Sequence, residues 1–155
     1  MDGYCKGIKR DGDEDIGYLI WRIFRFWQRG KHKLLDEFGL TTSQFEILGA
    51  IYHMSEQKIE VSQIILSQET EIDPMTTSTI LRNLEKKELI LRRESKVDTR
   101  VRIVELTDAG RKIFVKAIEK VKRNQEKVFE NIDKKILRDQ LRILLDELNR
   151  LSKNQ

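Results

Sequence analysis

Asp73-Pro74-Met75-Thr76-Thr77-Ser78-Thr79-Ile80-Leu81-Arg82-Asn83-Leu84, followed shortly by Leu91-Arg92-Arg93-Glu94-Ser95-Lys96-Val97-Asp98-Thr99-Arg100-Val101-Arg102, is the stretch that decides the fold. Asp73 is placed to cap a helix, because its carboxylate accepts from the unpaired amides of a first turn, and Pro74 at the first helical position gives up an N–H that has no partner there. At about 3.6 residues per turn, Thr77, Ile80, Leu81 and Leu84 share one face. Pro74, Met75, Thr76, Thr79, Arg82, Asn83 and Lys86 look mostly away from it. That outward set offers hydroxyls, an amide, a guanidinium and a thioether, which suit base edges, phosphates and the thymine methyl in a major groove.

After Leu89 and Ile90 the period changes. Arg100-Val101-Arg102-Ile103-Val104-Glu105-Leu106 reads as a β-branched strand that pairs back on residues 90–95, and the loop between them forms a wing. From Arg82 to Arg102 there are eight Lys/Arg against four Asp/Glu, so the helix end and hairpin make a positive stripe. Over Thr41–Thr107 the balance is nine basic to eleven acidic, so attraction to DNA must come from clustering on one face rather than from the net charge of +4. Upstream, Thr41-x-x-Gln44 is a capping box that opens a helix over about 42–55, with Phe45, Leu48, Ile51 and Tyr52 as its apolar stripe. Ser62 can cap a shorter helix to about Glu69, whose Ile65 and Leu66, with Ile72 in the turn, would pack beneath the reading helix.

The outer segments read as longer helices. Asp13, Glu14 and Asp15 favour a helix start through its dipole, and Ile16, Leu19, Ile20, Ile23, Phe24 and Trp27 then give more apolar surface than one stripe needs. A second stripe runs through Ile113, Phe114, Ile118, Val121, Val128, Phe129 and Ile132, and a third through Leu137, Leu141, Leu144, Leu145, Leu148 and Leu151. The expected fold is mainly α with a small β-hairpin: a mobile tail over 1–12, then a single domain over 13–155. In it, a winged helix-turn-helix at 40–107 is flanked by dimerisation helices at 13–39 and 108–155. Two half-sites one helical turn apart are the usual requirement of such a reader, which is why the spare apolar surface points to a homodimer.

Leu40-Thr41-Thr42-Ser43-Gln44, Leu84-Glu85-Lys86-Lys87-Glu88-Leu89-Ile90-Leu91-Arg92, Asp98-Thr99-Arg100 and Leu106-Thr107-Asp108-Ala109-Gly110-Arg111, in this order and spacing, resemble the multiple-antibiotic-resistance regulator (MarR) family. The resemblance covers roughly residues 40–112 in motif detail. It implies a cytoplasmic homodimeric transcription regulator that binds palindromic double-stranded DNA, most simply a repressor released when a small-molecule effector binds. By that resemblance the recognition helix falls on Pro74 to Lys86, and Arg100 is the minor-groove finger. Asp98 is implied to stabilise the wing through a salt bridge, and Leu106, Thr107 and Gly110 carry the motif that follows it. Arg92, Arg93, Lys96 and Arg102 are candidates for phosphate neutralisation. The chain departs from the family at Glu88, where relatives place a glycine that ends the helix in a left-handed turn.

Other functions find less support. The 155 residues, 39% hydrophobic and 36% charged, suffice for a core and are far from a disordered composition. The most apolar run, Ile20-Trp21-Arg22-Ile23-Phe24-Arg25-Phe26-Trp27, is broken twice by arginine, so no membrane partner is expected, and the charged, glycine-spotted start lacks a signal-peptide pattern. A single cysteine, Cys5, excludes an intrachain disulfide and suits a reducing cytoplasm. With few apolar anchors around it, it reads as an incidental tail thiol. His32 and His53 lie in different helices, which argues against a metal site. No nucleophile–base pair or phosphate-cradling glycine loop appears, so neither an enzyme nor a cofactor is expected. Trp21, Phe24, Trp27, Phe38 and Tyr52 are candidates for an effector pocket, against the plainer reading that they pack the core. Arg22, Arg25, Arg29, Lys31 and Lys33 read as the wet face of the first helix. The alternative function is a winged helix used for protein contacts, which would want an exposed apolar patch on the recognition surface.

Overall fold

A computed structural model describes residues 15–95, 98 and 101–153. The expectations placed on residues 1–12, Cys5, Asp13, Glu14, Lys96 and Arg100 therefore lie outside the described residues. In chain order the elements are α1 (Ile16–Asp36), α2 (Thr42–Glu56), α3 (Gln63–Thr70), α4 (Pro74–Lys86), β1 (Ile90–Glu94), β2 (Arg102–Leu106), α5 (Asp108–Val128) and α6 (Lys134–Ser152). This is the mainly α, winged helix-turn-helix architecture expected from the residues. The chain divides into two compact units, Met1–Ala117 and Ile118–Gln155.

Short-range chemistry sets the helix starts of the first unit. Asp15 accepts from the Tyr18 amide at 3.0 Å to begin α1. Thr41 and Gln44 close the capping box of α2, each side chain accepting from the other's backbone N–H at 3.2 Å. Ser62 caps α3 through the Ile65 amide, and Asp73 caps α4 through the Thr76 amide at 2.9 Å. Between α3 and α4 the chain turns through Glu71, which is left-handed at φ 54°. The Ile72 carbonyl then accepts from Ser67 Oγ at 2.6 Å and Thr77 Oγ1 at 3.2 Å, cinching the turn from both helices.

The core of this unit is aliphatic. Leu35, Ile47, Leu48, Ile51, Leu66, Leu81, Leu84 and Val104 are wholly or almost wholly buried, each stabilising the fold by roughly 1.5–3 kcal/mol before the entropy of ordering it. Phe114, on the first half of α5, extends the core, its ring lying 5.4 Å from Phe45 and 5.1 Å from Tyr52.

β1 and β2 pair antiparallel, with Ile90 opposite Leu106 and Glu94 opposite Arg102. Beyond the strands the hairpin continues, Ser95 N–H donating to the Val101 carbonyl and Val101 N–H to the Asp98 carbonyl, both at 2.9 Å. Val61 adds a third edge, its carbonyl accepting from Val104 N–H at 2.7 Å.

Glu88 does take the left-handed conformation, at φ 58°, a geometry that costs a side chain about 1 kcal/mol relative to glycine. The conformation is worth keeping because of what it connects. The Glu88 carbonyl accepts from Thr107 Oγ1 at 2.7 Å, and the Leu89 carbonyl accepts from Thr107 N–H at 3.1 Å. Thr107 Oγ1 in turn accepts from Gly110 N–H at 3.0 Å. The first turn of α5 lies so close to this segment that a Cβ on Gly110 would sit 1.9 Å from the Leu89 carbonyl oxygen. The Leu-Thr-x-x-Gly motif thus has a steric reason for its glycine and a capping reason for its threonine.

In the second unit, α6 begins at Asp133, whose carboxylate accepts from the amides of Lys135 and Ile136 at 3.0 Å. None of its residues is buried. Leu141, Leu145, Leu148 and Leu151 all stand exposed along it.

Candidate nucleic-acid interface

α4 separates its faces as its spacing predicts. Thr77, Ile80, Leu81 and Leu84 are buried, whereas Pro74, Met75, Thr76, Thr79, Arg82, Asn83 and Lys86 are exposed. The outward face is partly organised: Thr79 Oγ1 donates to the Met75 carbonyl at 3.1 Å and accepts from Arg82 Nη2 at 3.1 Å. Asp73 has its pKa lowered from the ordinary carboxylate value, chiefly by hydrogen bonding to the Thr76 side chain and backbone. Met75 is 82% exposed, placing a soft apolar group at the start of an otherwise polar surface.

Both ends of α4 are tied to the body of the head. Gln63 Nε2 donates to the Pro74 carbonyl at 3.4 Å. At the other end Lys87 Nζ donates to the Gly39 carbonyl at 2.6 Å and to Gln44 Oε1 at 3.2 Å. Gln44 is thereby a buried polar residue with a double duty, in the α2 capping box and under Lys87. The capping box is legible in the local sequence, whereas the contact of Lys87 with Gly39 and Gln44 is made only by the fold.

The arginines at the wing root, candidates for phosphate neutralisation, are half-buried beside carboxylates. Arg92 Nε lies 3.3 Å from Glu85 Oε2 on the last turn of α4, and its Nε and Nη2 are buried with no hydrogen-bond partner among the described residues. Arg93 Nε donates to Glu105 Oε1 at 2.6 Å, and its Nη1 donates to Glu60 Oε1 at 3.3 Å and to the Glu94 carbonyl at 3.0 Å. The bond to Glu105 and then that to Glu60 raise the Arg93 pKa above its ordinary value against the opposing effect of desolvation. Buried Ser95 completes this cluster, donating from Oγ to Glu60 Oε2 at 2.8 Å and accepting from Asp98 N–H at 3.3 Å. Arg102 is exposed, 3.3 Å from Glu94 across the ladder. Asp98 contributes to the wing turn through its backbone, as described above. Glu60 and Ser95 carry no motif in the sequence, and only their meeting in the fold makes them visible.

The five aromatic residues considered for an effector pocket are distributed. Tyr52 packs with His53 and Phe114, and the Arg111 guanidinium lies 5.0 Å over its ring while pairing with Glu56 at 2.8 Å. Trp21 stacks on Tyr18 and, like Phe24, is exposed, while Trp27 and Phe38 are half-buried. Among the described residues, one cleft is lined by Gln28, Arg29, His32, Lys33, Asp36 and Thr42 and another lies at the wing root beside Glu60 and Arg93. None of the five aromatic residues lines either. On α1, Arg22, Arg25 and Arg29 lie over the rings of Tyr18, Trp21 and Phe26 at 5.5–5.9 Å. No group of three or more potential metal ligands occurs among the described residues, and no helix there is long and apolar enough to cross a membrane.

Comparison with known proteins agrees with this geometry. The family model described as transcriptional regulator SarA/Rot matches residues 29–117. Two HTH-type transcriptional regulators of Bacillus subtilis (strain 168) are similar in sequence. YdgJ is 31% identical over 116 residues, covering 75% of this chain and 66% of its own. YdcH is 35% identical over 94 residues, covering 61% and 64%. The chain thus spans about two thirds of the length of the curated relatives it matches. Among solved structures, a Staphylococcus aureus MepR–DNA complex superposes with a TM-score of 0.77 at 23% identity, covering 90% of this chain and 99% of that one. CouR from Rhodococcus jostii RHA1 bound to p-coumaroyl-CoA superposes at 0.73 with 24% identity, covering 88% and 92%. At these identities the structures speak for the fold, while the family match speaks for descent. The chain belongs to the SarA/Rot family of transcriptional regulators and carries the MarR-type winged helix-turn-helix.

Proposed function

We propose that the chain is a cytoplasmic, homodimeric, sequence-specific DNA-binding regulator and not an enzyme: a repressor that holds a palindromic operator until a small-molecule effector releases it. The observation that carries this reading is the outward face of α4, where Met75, Thr76, Thr79, Arg82, Asn83 and Lys86 are exposed over a buried row. In this reading α4 enters the major groove and Arg100 is the minor-groove finger, with Lys96 and Arg102 as candidates for phosphate neutralisation. A structure of CouR on a 23-mer DNA duplex has the same fold, at TM-score 0.72, which supports the docking by analogy.

The exposed leucines of α6 support the dimer, since a face of that length calls for a covering partner. Residues 13–39 and 108–155 are assigned to that interface, and 40–107 to reading. The CouR complex with p-coumaroyl-CoA supports the effector. An effector acts by binding more tightly to a dimer geometry whose heads no longer match the half-site spacing.

The test is a salt-dependent mobility shift on duplexes enriched by the protein from a random pool. Affinity should fall steeply with ionic strength. Thr76→Ala and Arg82→Ala should each weaken the enriched site by about 1–3 kcal/mol and leave folding intact. Salt-insensitive binding would favour the protein-contact alternative, and unchanged affinity in both variants would remove α4 as the reader.

A further inference from the structure

We propose that Arg92 and Arg93 are positioning residues that aim the wing relative to the reading helix, and are not phosphate ligands. This rests on the DNA-binding reading above and names which of its basic residues act at a distance. Successive residues of a strand point to opposite faces, and these two use that geometry to tie β1 down from both sides. On one side Arg92 meets Glu85 of α4 at 3.3 Å. On the other, Arg93 meets Glu105 of β2 at 2.6 Å and Glu60, in the segment between α2 and α3, at 3.3 Å.

Two details argue against a phosphate role. Arg92 Nε and Nη2 are buried, with Nε 3.3 Å from Glu85 Oε2, so these two donors face α4 and not open solvent. Glu60 uses one oxygen for Arg93 and the other for the buried hydroxyl of Ser95, at 2.8 Å. One carboxylate outside the hairpin thus grips two residues at its root. A reader that places a helix in one groove and a wing in the next gains affinity when their separation is fixed before binding, because the ordering cost then falls outside the binding step.

The sign of one effect separates the readings. Glu60 and Glu85 add negative charge at the hairpin root, so on Coulomb grounds alone neutralising either should tighten binding to a polyanion. If they anchor struts, neutralising them should weaken it.

Wild type, Glu60→Gln, Glu85→Gln, Arg92→Gln and Arg93→Gln would be titrated by fluorescence anisotropy against a duplex enriched by the wild-type protein, between about 50 and 200 mM salt. Amide hydrogen exchange would be followed in the free proteins. Struts predict that both glutamate variants lose about tenfold in affinity, that all four keep the wild-type salt slope, and that wing amides such as those of Ser95 and Val101 exchange faster while α2 amides do not. The charge exchange Arg92→Glu with Glu85→Arg should recover most of what Arg92→Glu alone loses. The proposal is overturned if the glutamate variants bind as tightly as wild type or tighter, if each arginine variant lowers the slope by about one phosphate, or if wing exchange is unaltered. A wild-type protein that binds no duplex at low salt defeats the DNA-binding reading instead, and the exchange data then decide the struts alone.

Discussion

In α4 the apolar row Ile80, Leu81 and Leu84 is buried within its own unit, whereas α6, also amphipathic and 19 residues long against 13, buries nothing. Both helices write a similar periodicity into the sequence. What differs is the supply of partners: α3, α2 and β1 all pack against α4, and the leucines of α6 remain in contact with solvent. Amphipathicity therefore tells which side of a helix must be covered and says nothing about which molecule covers it.

That contrast can be broken at several points. The largest effect is expected inside the head, where Leu81→Ala should cost about 3 kcal/mol of stability, read from the urea midpoint, because Leu81 is fully buried and the site cannot collapse freely. Gly110→Ala should follow at roughly 2 kcal/mol, since the added methyl collides with the Leu89 carbonyl and the first turn of α5 must shift. If it unfolds no more easily than wild type, the close approach described here is not present.

Leu148→Ala tests the other half of the comparison. It should leave the head's hydrogen-exchange pattern unchanged and raise the dimer dissociation constant by about tenfold in sedimentation equilibrium. A dimer indifferent to it would take this leucine out of the interface. The smallest effect should be a gain: Glu88→Gly, by removing a side chain from a left-handed position, should add about 0.5 kcal/mol after glycine's own entropy cost, visible as a slightly higher urea midpoint.

What could be read without coordinates follows the range of the chemistry. Asp73 with Pro74, Thr41 with Gln44, and Ser62 act within a turn of themselves, so their helices were legible to within a residue or two. The alternation of buried and exposed positions along α4 was legible for the same reason. The wing root was not. Arg93 meets Glu60 across 33 positions and Lys87 meets Gly39 across 48, and no local pattern announces either. Counting charge from Arg82 to Arg102 correctly finds a basic stretch, yet it cannot show that Arg92 and Arg93 are half-buried against carboxylates while Arg102, also paired, stays exposed. Of the aromatic residues weighed between an effector pocket and core packing, Tyr52 joins the ring cluster around Phe114, a contact between α2 and α5 that no local spacing announces.

The fastening of α4 at both ends, Gln63 at its first residue and Lys87 just past its last, has an implication for how such a protein could change its target. A letter punched from solid metal prints the same character wherever it strikes. New specificity would then come from recutting the type, one outward side chain at a time, while switching would come from moving the two stamps apart.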